Sequence, residues 1–187
     1  MTRTCITMAV AFSAVAALAP SNAVRAGPDK ILFPENYAKG ILYTTVNRPV
    51  RPGSSAAGGE NSAQFREHYA TPAAIEAVRN GQPIPSGTVM TMVQYRAKLD
   101  AQGAPLQDAE GRFIKADVIG FGVMEKRTGW GAEYPAELRN GEWEYAYFSP
   151  DKTLNGKMNF GACFQCHKSQ ASNDYLYTFD RLKPVAR

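Results

Sequence analysis

Apolar positions in this chain follow two periods. One short stretch carries them at helical spacing, and three later stretches carry them in the two-residue alternation of strands. Thr71-Pro72 opens the helix, because threonine is a good N-cap and proline is tolerated at the first helical position. Ala73, Ala74, Ile75, Ala77 and Val78 carry it, and Asn80-Gly81 ends it. Upstream, Phe33-Pro34-Glu35-Asn36-Tyr37 reads as a short helical turn, and Arg48 to Asn61 as a loop rich in Pro, Gly and Ser.

The first strand spans Thr88 to Leu99, where β-branched residues and Tyr95 favour extended backbone. Asp100 to Gly111 holds Gly103, Pro105 and Gly111 and reads as a hairpin connection; it lacks the ligand spacing of a calcium loop. The second strand, Phe113 to Glu125, sets Ile114, Ala116, Val118, Gly120, Gly122 and Met124 on one face. Lys115 and Asp117 begin the other, and Ile119, Phe121 and Val123 continue it, so this strand becomes buried on both sides. A third strand covers Glu142 to Phe148, with Trp143, Tyr145 and Tyr147 opposite Glu144, Ala146 and Phe148. One helix ahead of several strands argues for an α+β domain and against a four-helix bundle.

The chemistry lies in Cys163-Phe164-Gln165-Cys166-His167. A Cys-x-x-Cys pair also occurs in thioredoxin-like redox sites, half zinc sites and small disulfides. Zinc needs four ligands, and outside this run only Cys5 and His68 remain among cysteines and histidines. A redox pair belongs where a strand meets a helix in a βαβ unit and would leave His167 unexplained. A c-type haem accounts for all three residues: two thiols add to the two vinyl groups of one porphyrin, and the following histidine binds the iron. The expectation is one haem c, covalent through Cys163 and Cys166, with His167 as proximal ligand, carried by a C-terminal segment that docks on a preformed sheet. Gly120 and Gly122 would weaken their strand unless a porphyrin, a neighbouring strand or an aromatic ring packs closely there.

Residues 1–26 read as a secretory leader. Arg3 precedes an apolar stretch from Ile6 to Ala19, and small-residue cleavage options follow at Ala23 and Ala26. The stretch is short for a membrane span, which takes about 20 apolar residues. Residues 27–187 would then form one domain, exported to the periplasm and free of membrane. The formal charge is +4, but Arg3 and Arg25 lie in the leader, so the charge gives no reason to invoke nucleic acid.

Taken together, several pieces resemble the cytochrome P-460 family, which includes the cytochromes c-prime-beta. They are Phe33-Pro34-Glu35-Asn36-Tyr37, then Tyr69-Ala70, Gly81, Pro85-Ser86-Gly87-Thr88-Val89, Gly129-Trp130-Gly131 and the haem motif, in that order. The resemblance implies a mainly antiparallel β-sheet with a few helices, a homodimer, and one haem c with its sixth position open. It also implies a division by chemistry. P-460 enzymes oxidise hydroxylamine and carry a lysine–porphyrin bond, whereas c-prime-beta members lack that bond and bind nitric oxide. Counted from Gly87-Thr88-Val89, the lysine position falls at Met92, so the bond is expected to be absent and Met92 to lie against the porphyrin edge. Lys98 is six residues further on, roughly 20 Å at about 3.3 Å per residue.

Three functions stay open at this level. The iron could take nitric oxide or a similar small ligand; it could oxidise hydroxylamine or a related nitrogen compound; or it could carry electrons to a partner protein with Met92 or His68 as sixth ligand. His68, just ahead of the helix, also reads as an exposed or hydrogen-bonded structural residue. Arg66 and Tyr69 are candidates for a polar contact to a ligand or propionate.

Overall fold

The computed structural model describes residues 30–52 and 62–183. The leader, and most of the loop read over Arg48 to Asn61, fall outside the described residues. Five strands form one sheet: β1 (Ile41–Arg48), β2 (Gln64–Ala70), β3 (Val89–Ala97), β4 (Lys115–Lys126) and β5 (Trp143–Phe148). They pair in chain order and each pairing is antiparallel, so the sheet is a meander. Helix α1 (Pro72–Arg79) links β2 to β3, and helix α2 (Phe160–Lys168) follows β5. The fold is α+β with a mainly antiparallel sheet, as expected.

The three foreseen strands and the helix lie within a residue or two of their sequence limits, whereas β1 and β2 went unforeseen. Thr71 occupies the N-cap of α1 in extended backbone and Pro72 follows at the first position, but the Thr71 hydroxyl makes no capping bond. Asn80 caps the other end, with Gly81 at φ +65°. The early helical turn is displaced along the chain, to a 3-10 turn over Tyr37–Lys39.

Each sheet face has its own apolar cluster. Val93, Phe121, Val123, Ala146 and Phe148 form one with Ile31, covered by Phe33 and Tyr37. Met90, Trp143 and Tyr145 form the other with Ala74, Ile75 and Val78 of α1 and Phe160 and Phe164 of α2. Both helices therefore pack on the same side. The alternation expected along Phe113 to Glu125 breaks at a β-bulge. Gln94 pairs with Gly120 and Tyr95 with Val118, leaving Ile119 extra. One additional residue inverts the facing of the residues just before it, until a second register shift, between Tyr95 and Ala97, restores it at Lys115. Val118 therefore packs with the Phe121 cluster, and Gly120, Gly122 and Met124 face the helices.

Gly120 and Gly122 admit side chains, as their lack of a Cβ suggested. The Tyr147 ring lies over Gly120, where a Cβ would come within 2.2 Å of its hydroxyl and 2.8 Å of the Phe148 carbonyl. The Met92 methyl lies over Gly122, 2.9 Å from where a Cβ would be.

Candidate functional site

Between the helix side of the sheet and α2 lies a cavity of about 710 Å³, within the 300–1,000 Å³ typical of cofactor sites. Cys163, Cys166 and His167 line it. Spacings of i,i+3 and i,i+4 place all three on one face of α2, and Phe160 and Phe164 turn toward the core. Phe164 meets the rings of Tyr134 and Tyr145 at 5.2 and 4.7 Å. The fully buried Asn140 holds the helix to β5, donating through Nδ2 to the Phe164 carbonyl at 2.9 Å and to the Tyr145 hydroxyl at 2.8 Å.

His167 Nδ1 lies 2.7 Å from the Tyr175 carbonyl oxygen. A carbonyl only accepts, so Nδ1 carries the proton and donates, which leaves Nε2 with its lone pair. Burial lowers the His167 pKa, and the bond to Tyr175 opposes that. A histidine held in this tautomer is suited to bind a metal through Nε2. Its ring sits between Tyr145 and Tyr177, at centroid distances of 5.0 and 5.3 Å. Cys163 is half-buried and burial pushes its thiol up to about 11, while Cys166 is exposed, with Sγ 3.3 Å from the Tyr177 hydroxyl.

The accepting carbonyl belongs to an unusual turn. Asp174 and Tyr175 are consecutive non-glycine residues at positive φ, +48° and +62°. Such backbone persists only where its surroundings enforce it. Here Asp174 Oδ1 accepts from the buried Trp143 indole at 3.1 Å, and Oδ2 accepts from Lys126 at 2.9 Å. Sequence reasoning missed Asp174, Tyr175 and Asn140; the turn-forming pair Asn173-Asp174 was the only local signal.

The sheet supplies the opposite wall. Register places His68 beside Met92, Met92 beside Gly122 and Gly122 beside Tyr147, in one row across β2 to β5. The next row holds Arg66, Gln94 and Gly120. Met92 lines the cavity, so the structure brings it to the same space as the motif residues. His68 is not the exposed or hydrogen-bonded residue that its position ahead of a helix suggested. It belongs to β2, is half-buried in the cavity wall against the edge of the Tyr43 ring, and burial, with Arg66 nearby, lowers its pKa to about 4. Arg66 faces the cavity as well. Tyr69 does not: its odd position turns it to the other face, where its hydroxyl donates to Glu67 at 3.1 Å. Among the described residues no lysine lines the cavity. Lys115 pairs with Glu67 on the far face, and Lys126 with Asp174.

A helix presenting Cys-x-x-Cys-His to a cavity of cofactor size, with the histidine tautomer suited to metal binding, has the residues a c-type cytochrome site requires, on an antiparallel meander. A family model described as Cytochrome P460 matches residues 34–178, and the chain belongs to that family. It is a c-type haem cytochrome. No curated protein matches the chain.

Proposed function

We propose that this chain is a periplasmic mono-haem c-type cytochrome that binds nitric oxide or a similar small ligand at an open iron position, without a lysine–porphyrin bond. Cys163 and Cys166 are its thioether tethers, His167 its proximal ligand, and Met92 a contact to the porphyrin from the sheet. The haem supplies the ligand chemistry; the chain orients it and closes off water. The observation that carries this reading is the 2.7 Å approach of His167 Nδ1 to the Tyr175 carbonyl, on the helix that also turns both cysteines into the cavity.

The cavity wall supports the expected absence of the lysine bond, because its β3 position is Met92 and the neighbouring lysines are engaged elsewhere. Oxidation of hydroxylamine would need a proton acceptor near the bound nitrogen; among the described lining residues no carboxylate offers one, and the neutral His68 imidazole is the group that could serve. Electron transfer through a six-coordinate iron is the second reading, favoured by the adjacency of His68 and Met92 in one row facing the cavity.

Absorption spectra of the oxidised and reduced protein test all three. An ordinary haem c pyridine haemochrome, a high-spin ferric spectrum and a shifted Soret band on adding nitric oxide to the reduced form are expected. An anomalous haemochrome would overturn the missing lysine bond. A low-spin ferric spectrum would favour His68 or Met92 as sixth ligand, and turnover of hydroxylamine with an electron acceptor would make the protein an enzyme.

A further inference from the structure

We propose that the outward face of α2, together with Tyr177, is a docking surface for a soluble redox protein whose own electron-transfer site is ringed by carboxylates, and that electrons pass there between that protein and the haem. This rests on the haem reading above and deepens it, because an open and a six-coordinate iron both need a source of electrons. In each transfer the partner loses one electron and ferric iron gains it, and no bond is made or broken.

Exposure of the motif selects the place. Cys163 is half-buried and Cys166 is exposed, so a porphyrin tethered through both has its Cys166 edge nearest to solvent. Around that edge Ala162, Gln165 and Ser169 are exposed as well. With Cys166 they follow the spacing i, i+3, i+4 and i+7, which sets them on one face of α2, with Ser169 as its C-cap. None of the four carries a charge, although the solvated face of a helix ordinarily does. The cores of protein interfaces are depleted in charge in the same way.

Tyr177 gives this face a fixed aromatic group. It is 56% exposed, yet its position is secured from two sides. Its hydroxyl donates to the Cys166 carbonyl at 3.0 Å and lies 3.1 Å from Ser169 Oγ, and its ring meets the His167 ring edge-on at 5.3 Å. A side chain already immobilised loses little entropy on binding, and tyrosine is enriched at interfaces. A partner seated on Tyr177 is therefore in contact with a residue that touches both Cys166 and His167.

Charge identifies the partner. Residues 154–183 carry four cationic side chains, Lys157, Lys168, Arg181 and Lys183, against two carboxylates, Asp174 and Asp180. Both carboxylates are already paired with lysines, Asp174 with Lys126 at 2.9 Å and Asp180 with Lys183 at 2.7 Å. Lys168 bonds the carbonyls of Ala136 and Arg139 and keeps its charge uncompensated by them. Lys157 and Arg181 form no ion pair among the described residues. Glu137, in the turn packed on α2, is the opposing charge, and Arg139 follows it two residues later. An uncharged centre with a cationic surround complements an acidic rim. Such charges steer encounter more than they hold a complex, which suits brief electron exchange.

The test uses the haem-loaded protein and probes of known charge. Hexacyanochromate(III), a redox-inert paramagnetic trianion, is added to the diamagnetic reduced protein under carbon monoxide. It should broaden the amide resonances of Gln165, Cys166, Ser169 and Tyr177 before others, and salt should remove the effect. Stopped-flow oxidation of the reduced protein, by hexacyanoferrate(III) and by an acidic blue-copper protein, gives the rate of exchange. The double variant Ala162→Glu/Gln165→Glu should slow both oxidants about tenfold. Gln102→Glu/Gln107→Glu adds the same charge at exposed positions of the Asp100 to Gly111 connection and should change them less than about twofold. Broadening centred elsewhere, or equal slowing by the two double variants, would overturn the docking surface. So would an α2 variant with altered sedimentation and unchanged rates, which would make this face a contact between copies of the chain. A protein without a haem Soret band would overturn the haem reading and this proposal together. A normal Soret band with any of those other outcomes removes the docking surface alone.

Discussion

Replacing Asp174 by alanine should loosen the proximal side of the haem and destabilise the whole domain. The carboxylate has three tasks in the structure. It accepts from the Trp143 indole, which is fully buried, so its loss strands a buried N–H at a cost of about 1–3 kcal/mol. It also pairs with Lys126 across side chains only 23% and 14% exposed. A hydrogen bond to a charged group contributes about 1.5–3 kcal/mol. Finally, it sits at φ +48°, which aspartate tolerates better than alanine, a difference of a few tenths of a kcal/mol. These contributions share one carboxylate and do not add in full, so about 3 kcal/mol is expected for Asp174→Ala. Asp174→Asn keeps the oxygen that Trp143 uses and the tolerance of positive φ, and should cost about half as much. Asp174→Gly relieves the backbone but restores neither partner, and should fall close to alanine. Urea unfolding of the three variants measures the order. In the haem-loaded, reduced protein the iron–histidine stretching band should broaden or shift most in Asp174→Ala, because the Tyr175 carbonyl is no longer held against His167. An alanine variant within 1 kcal/mol of wild type, with an unchanged band, would refute the claim that this turn orients the proximal ligand.

Gly120→Ala should destabilise by about 3 kcal/mol, near the upper end for overpacking, because its methyl would meet both the Tyr147 ring and the Phe148 carbonyl. Gly122→Ala meets only the mobile end of Met92 and should cost under about 1.5 kcal/mol; thermal melts of the pair separate the two. Asn140→Ala should cost about 2 kcal/mol, since it releases the Phe164 carbonyl and the Tyr145 hydroxyl at once, and urea unfolding would show it. His68, at about 4 against an ordinary 6.5, makes stability depend on acidity. The unfolded chain binds the extra proton between those values, so the contribution is whole above pH 6.5 and is lost as pH falls toward 4, by at most about 3 kcal/mol. His68→Gln should flatten that limb of the stability profile, and an unchanged profile would place the acid sensitivity elsewhere.

The strands that the sequence announced are those whose apolar side chains meet other apolar side chains. In β3 and β5, Val93, Ala146 and Phe148 pack against one another on the outer face, and the two-residue period is plain. The strands that escaped notice break the assumption behind that period, which is that polar positions face water. β2 reads Gln64, Arg66 and His68 toward the cavity, and its other face sets Glu67, bonded to Lys115, Tyr69 and Tyr95, between the buried Phe65 and Tyr69, so its polar positions do not mark a solvated face. β1 is an edge strand with no buried residue, and its side chains give no contrast between faces. The bulge at Ile119 inverted Val118 for a different reason, since nothing in Val118-Ile119-Gly120 marks where an extra residue enters a ladder.

The site divides along the same line. Cys163, Cys166 and His167 were legible because one cofactor demands that spacing whatever the fold, and Met92 because a resemblance placed it. Asp174 and Tyr175 were not, because the part of Tyr175 that matters is a carbonyl, which every residue has, and its position depends on a turn secured by Trp143 and Lys126 from β5 and β4. The polarity that hid β2 is itself informative about function. A strand that places arginine, histidine and glutamine against the inside of a domain needs a covering that is neither water nor a hydrophobic core. The haem proposed above, with its ionised propionates, would be such a covering. The residues least like a strand in sequence are thus the ones whose substitution should change what the iron binds.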